Sequence, residues 1–405
     1  MQMINSSQIR DFFPSIDRVD AKNNKIIYLD GPGGTQVPIQ VIEAISQYYI
    51  RSNANTHGEF ITSKETDGIM DELRYKMSEF LGSDNPSTIS IGQNMTSLNY
   101  SLARALSKKF NLGDEVVITE LDHEANRGPW MVLEKAGVKL VEIKLLQNGG
   151  LDYEDFKSKI NEKTVMVCMG MSSNALGTLN DFHSVRSFLP NNCLFLLDAV
   201  HYAPHFAINV SDLGCDFLLC SAYKFYGPHV GFLYSRPGLL ESLDTDRLVV
   251  QDQSAPFIIE TGTLNHAACA GVSAAIEFIA SLGEGDSLRS KLVDAYSKIS
   301  VHEFALAKYL YDSLCALDKV NVIGQDFSNT KRTPTVSFVH SDYTPNEICK
   351  KLASSNICAW DGHFYALKAI QQLGLEKKGG VTRLGISIYN TKEEVERVVS
   401  VISNL

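Results

Sequence analysis

Seven short apolar runs, rich in β-branched residues, follow one another along the chain at 88–91, 115–119, 139–145, 164–170, 193–199, 217–222 and 231–235. Runs that are apolar on both faces are strands of a sheet covered by helices on each side. Stretches of helical period lie between several of them. In 96–109, for example, Leu98, Leu102, Ala103 and Leu106 share one face. This alternation predicts a mostly parallel sheet. Only the eight residues 223–230 separate the last two runs. A parallel crossover needs about a dozen or more, so 231–235 is expected to run antiparallel. The expected fold is α/β, with a seven-stranded, mainly parallel mixed sheet.

After about residue 285 the texture changes. A long helical pattern over 286–318 leads into a strand at 333–340, a helix at 345–354, a strand at 382–389 and a closing helix over 391–405. The expected organisation is an N-terminal segment, 1–25, packing near a smaller C-terminal α/β domain, 286–405, with a large domain over 26–285.

Composition removes several classes of function. Against 37 Lys and Arg stand 47 Asp and Glu, a formal charge of −10, so nucleic acid has no electrostatic footprint to bind. The eight cysteines are scattered without a C-x-x-C pair, which argues against a zinc site and for reduced, buried thiols. The first residues carry no basic stretch followed by an apolar one, and no apolar run approaches the ~18–20 residues of a membrane helix. A cytoplasmic protein with no metal, nucleic-acid or membrane partner is expected.

Two polar residues end apolar runs where open α/β sheets bind ligands. Asp198 closes the run from 193, and Lys224 follows the run from 217. Singly, these are a helix cap or loop carboxylate and a surface lysine. Together, at the ends of neighbouring strands, they suit a pyridoxal phosphate enzyme, in which a lysine forms a Schiff base and a carboxylate holds the pyridine nitrogen protonated. Segment 30–38 is glycine-rich, but no Gly-Lys-Ser/Thr follows it, so it is not a nucleotide loop. No G-x-G-x-x-G follows a first strand, which disfavours a dinucleotide enzyme.

The stretch 198–228 resembles class V aminotransferase-fold enzymes (pyridoxal phosphate fold type I), and among them the cysteine desulfurase and selenocysteine lyase branch. That pattern is Asp-x-x-Gln followed by Ser-x-His-Lys-x-x-Gly-Pro. Asp198, Ser221, Lys224, Gly227 and Pro228 are kept, while His201 stands for Gln and Tyr223 for His. The resemblance spans nearly the whole chain and implies a large cofactor domain with a smaller C-terminal one. Segment 119–130 is similar to the Glu-His-His-Ala-Asn region, which implies that His123 stacks on the cofactor. Lys224, His123 and Asp198 are then the catalytic residues. Residues 92–106 occupy the place of the Gly-Thr-Thr phosphate loop, implying cofactor contacts from Gln93, Asn94, Met95 and Thr96, beside those of His201, Ser221 and Tyr223. Read alone, Asn94 or Thr96 is a helix cap, and both roles can hold at once.

Residues 172–178 match Ser-Asn-x-x-Gly-Thr, so Asn174 would face the substrate; a turn-forming Asn before Gly is the plain alternative. Residues 260–266 resemble a segment that reaches the partner subunit's cofactor phosphate, implying a homodimer with Thr263 as donor. Near the end, Arg383 falls in an Arg-x-Ser-x-x-x-Tyr-Asn-Thr pattern and would grip the carboxylate of a small amino acid. His57, in an Asn-rich loop, would line the pocket.

One motif is broken. The branch carries its persulfide-forming cysteine in Arg-x-Gly-His-x-Cys-Ala. The matching residues 360–366 keep Gly362, His363 and Ala366 but place Trp360 at the arginine and Tyr365 at the cysteine. Cys358, nearby, ends an apolar run and is expected to be a core thiol. Lys224 can still move a proton at Cα, so the expected reaction is carbon–sulfur cleavage of a small amino acid by β-elimination. The alternative is a class V aminotransferase or an amino-acid epimerase. With Asp198, Lys224 and His123 all present, a non-catalytic protein of this fold is disfavoured.

Overall fold

In the computed structural model, residues 6–328 and 331–405 are described. Seven strands form one sheet: β1 (Ile89–Gly92), β2 (Glu115–Thr119), β3 (Lys139–Ile143), β4 (Thr164–Gly170), β5 (Leu194–Asp198), β6 (Phe217–Ser221) and β7 (Gly231–Ser235). Their order is β1-β7-β6-β5-β4-β2-β3. The five strands from β6 to β3 are mutually parallel. β7 runs antiparallel to β1 and β6, as the short 223–230 connection requires.

Successive strand residues point to opposite faces, and the sheet divides its apolar side chains accordingly. Val117, Val167, Leu197, Leu218 and Cys220 join a cluster that includes residues of helices Ile61–Leu81, His266–Ser281 and Leu288–Cys315. Val116, Ile118, Cys168, Leu196 and Leu219 pack on the other side with helix Met95–Ser107 and Trp130. Both faces are therefore core. Only the strand ends are free to present polar groups.

A second sheet contains β8 (Val320–Ile323), β9 (Thr335–His340), β10 (Trp360–Gly362) and β11 (Val381–Gly385), in the order β10-β11-β9-β8 and wholly antiparallel. The strand expected over 382–389 stops at Gly385. Beyond it the Ile386 N–H donates to Pro334 C=O, and the Ser387 N–H donates to the Asn390 side chain at 2.8 Å. The segment before Ile27 reaches both regions. Phe13 packs its ring 5.1 Å from Tyr389 and 5.4 Å from Phe278, while Asp20 accepts a hydrogen bond from Asn356 at 2.8 Å. Among the described residues, no helix is long and apolar enough to cross a membrane.

Candidate active site

The C-terminal ends of β4, β5 and β6 open into a cavity of about 750 Å³, roofed by residues 360–365 and by Arg383 of β11. Asp198 is the last residue of β5, and Lys224 follows β6 in the short turn Ala222–Lys224. Both line the cavity and both are buried. Lys224 Nζ donates to Pro32 C=O and lies 4.7 Å from the centre of the Tyr223 ring. Burial and then the Arg383 charge depress its pKa to about 7, with Asp198 and Asp30 pulling the other way. Burial raises Asp198 to about 6, opposed by the Val200 N–H, which donates to it at 2.9 Å, and by Lys224.

His123 caps the short helix Glu124–Asn126, its Nδ1 accepting from the Ala125 N–H at 3.0 Å. A neutral ring that accepts at Nδ1 carries its proton on Nε2. Burial, then Lys224 and Arg383, bring its pKa down to about 4, which favours the neutral ring at pH 7. The Tyr365 ring lies over it, centroids 5.5 Å apart and planes inclined by 30°.

At the opposite end, helix Met95–Ser107 points its N-terminus into the cavity. Asn94 Oδ1 accepts from the Ser97 N–H at 2.9 Å, and the Met95 N–H donates to Ser221 Oγ at 3.1 Å. First-turn amides have no acceptor within their own helix, so the Thr96 N–H and the helix dipole favour an anion here. The cradle depends on a close approach. A Cβ on Gly231 would come within 2.3 Å of the Asn94 carbonyl carbon and 2.6 Å of the Met95 nitrogen.

Arg383 is buried, its Nη1 donating to Asn174 C=O at 2.9 Å and its guanidinium lying 3.9 Å from the Phe364 ring centre. Burial pulls its pKa down against the opposing Asp30 charge, yet a delocalised guanidinium stays charged at neutral pH. The Asn174 side chain is engaged too, donating to Phe364 C=O at 2.8 Å. His201 Nε2 meets the Thr335 and Thr333 hydroxyls at 3.0 and 3.2 Å. Thr333 gives its own hydrogen to Gly177 C=O, so it accepts from Nε2–H, and the buried Nδ1 is a lone pair without a partner.

The structure thus gathers Asn94, Met95, Thr96, His123, Asn174, Asp198, His201, Ser221, Tyr223, Lys224 and Arg383 around one cavity. It does not bring Gln93, His57 or Thr263 to it. Gln93 is exposed beside the capping Asn94, the 85% exposed side chain of His57 pairs with Asp67 at 3.4 Å, and Thr263 is exposed. Sequence reasoning missed Asp122. Its Oδ1 accepts the Gly170 N–H at 2.7 Å, and burial raises it to about 7.

Residues 27–398 match the sequence model of the family described as aminotransferase class-V. The chain belongs to that family. It is 31% identical to a probable cysteine desulfurase of Halalkalibacterium halodurans, over 97% of this chain and 96% of that one. It is 30% identical to a probable cysteine desulfurase of Streptomyces coelicolor, over 98% and 96%. The solved apo cysteine desulfurase of Thermococcus onnurineus superposes with a TM-score of 0.86 at 26% identity, covering 100% of this chain and 98% of that one. This class-V chain is a pyridoxal phosphate-dependent enzyme of fold type I. The cavity suits that cofactor: a buried amine, a buried carboxyl across from it, a helix N-terminus for a phosphate, and in His201 Nδ1 a buried polar atom awaiting a partner.

Proposed function

We propose that this class-V enzyme cleaves the carbon–sulfur bond of a small amino acid by β-elimination, with Lys224 as the residue that binds the cofactor. The observation that carries the choice of reaction is the cavity wall. None of the eight cysteines lines it, and Tyr365 stands at its mouth. Cys358 is half-buried at a separate, smaller cavity, where burial and then Asp30 raise its thiol to about 11. A thiol that stays protonated is a poor nucleophile, so transfer of sulfur to the protein has no acceptor here.

Lys224 would hold the cofactor's aldehyde carbon, Asp198 its pyridine nitrogen, and Thr96, Ser221 and Tyr223 its phosphate, with His123 against the ring and His201 beside the ring oxygen. The bound cofactor supplies an electron sink for the pair left when substrate Cα loses its proton. Arg383 would bind the substrate carboxylate in the plane of its guanidinium, since one face is covered by Phe364. Lys224, half unprotonated near neutral pH, takes the Cα proton as general base. The Cβ–S bond then breaks with its electron pair leaving on sulfur, which His123 Nε2–H would protonate. Water completes the balance: cysteine and water become pyruvate, ammonia and hydrogen sulfide. The second reading, aminotransfer or epimerisation, uses the same proton transfer at Cα without a leaving group, and the family match supports it.

Exposed Thr263 and His57 support a homodimer, in which Thr263 reaches the partner's cofactor phosphate. Eight unpaired cysteines support a reducing, cytoplasmic setting. Purified protein supplied with pyridoxal phosphate is expected to turn yellow, and Lys224→Ala to lose that colour; a fully yellow variant would refute the lysine assignment.

A further inference from the structure

The turn over 363–366 closes the cavity in a conformation its residues do not favour. Phe364 and Tyr365 both lie in the left-handed region, at φ +52° and +58°, where a Cβ crowds the backbone. Beside the local bond from the Tyr365 N–H to His363 Nδ1 at 3.1 Å, three links to other segments hold them there. Asn174 Nδ2 donates to Phe364 C=O at 2.8 Å, the Glu124 N–H donates to Tyr365 C=O at 2.7 Å, and the Phe364 ring covers Arg383 at 3.9 Å. All three partners belong to the cavity wall.

The outcome of this enforced backbone is the placement of one ring. Tyr365 lies on His123 at 5.5 Å and 30°, yet remains 67% exposed. Burial of apolar area therefore does not account for its position. His123 has one other polar anchor, the Ala125 amide at Nδ1. A hydrogen bond at one ring atom fixes that atom, whereas a ring against the imidazole face fixes its plane.

We infer that Tyr365 is a positioning residue for His123. It closes the outer face of the imidazole and sets the plane that the inner face presents to the cofactor. The turn that carries a nucleophile in the resembled branch is here a fixed wall. This rests on the reading above that His123 faces the bound cofactor.

The test compares wild type with Tyr365→Phe, which keeps the ring, and Tyr365→Ala, which removes it; an exposed side chain can be truncated without loss of core. In crystal structures of the apoprotein, the His123 ring is expected to keep its plane in the Phe variant and to turn out of it in the Ala variant. With pyridoxal phosphate bound, the visible circular dichroism band should survive in the Phe variant and be lost in the Ala variant. The cofactor dissociation constant of the Ala variant should rise about 2- to 12-fold, the worth of one aromatic pair. An unmoved His123 ring plane, or a band and constant unchanged in Tyr365→Ala, overturns the positioning role and leaves the cofactor reading standing. A wild-type protein that takes up no pyridoxal phosphate overturns both.

Discussion

Lys224 should react as an amine at a pH where ordinary lysines do not. Its pKa is about 7 against an ordinary 10.5, chiefly from burial and then from Arg383. At pH 7 an ordinary lysine keeps roughly one amine in 3,000 unprotonated, while Lys224 keeps about one in two, a gain on the order of a thousandfold. Mixing apoprotein with pyridoxal phosphate between pH 5.5 and 9.5, and following the rate at which colour appears, should give a curve that rises through neutrality and levels above pH 8. Two substitutions should move its midpoint in opposite directions. Arg383→Leu removes a cation that disfavours the ammonium form, so the midpoint rises. Asp198→Asn removes an anion that favours it, so the midpoint falls. A rate still climbing at pH 9.5, or a midpoint moved the same way by both variants, would refute the electrostatic reasoning.

Other outcomes follow from the same geometry. In the apoprotein, the depressed Lys224 pKa means the unfolded chain binds the extra proton between about pH 7 and 10.4, so this group's penalty is complete below 7 and vanishes as pH rises past 10. Chemical denaturation should therefore find Lys224→Met more stable than wild type at pH 6 by up to ~5 kcal/mol, with the gap closing by pH 10.5; an equal gap at both pH values would contradict this. Gly231→Ala drives a Cβ into the backbone of Asn94 and Met95, which should cost about 1–3 kcal/mol of stability and weaken cofactor binding, read by denaturation midpoint and equilibrium titration. Arg383→Leu should raise KM for the amino acid far more than it lowers kcat, and an unchanged KM removes Arg383 from carboxylate binding. Cys358→Ala should leave turnover largely intact, whereas abolished turnover would restore a persulfide route.

The main sheet was legible because its strands are buried on both faces, leaving apolar runs that no amphipathic helix or surface strand would show. The direction of β7 followed from chain length alone. β10 was not legible: Trp-Asp-Gly is three residues with an exposed tryptophan, and it forms a strand only because β11 offers an edge. The run over 386–389 misled for the opposite reason, being wholly buried without belonging to a sheet. Within the site, Asp198 and Lys224 stood out as polar residues ending apolar strands. Asp122 gave no such signal, since its place depends on the amide of Gly170, which ends the neighbouring strand in the sheet but lies 48 residues further along the chain. The Tyr365–His123 stack joins the two regions of the fold and has no local signature. Gln93, His57 and Thr263 were placed by resemblance, and this chain alone turns all three away from its own cavity.

Incubating the pyridoxal phosphate-loaded enzyme with L-cysteine and identifying the products tests the proposed reaction most directly. Pyruvate, ammonia and sulfide in equal amounts are expected, with none formed by Lys224→Ala. Alanine with sulfide or persulfide would contradict elimination and require a cysteine nucleophile that the cavity wall does not provide.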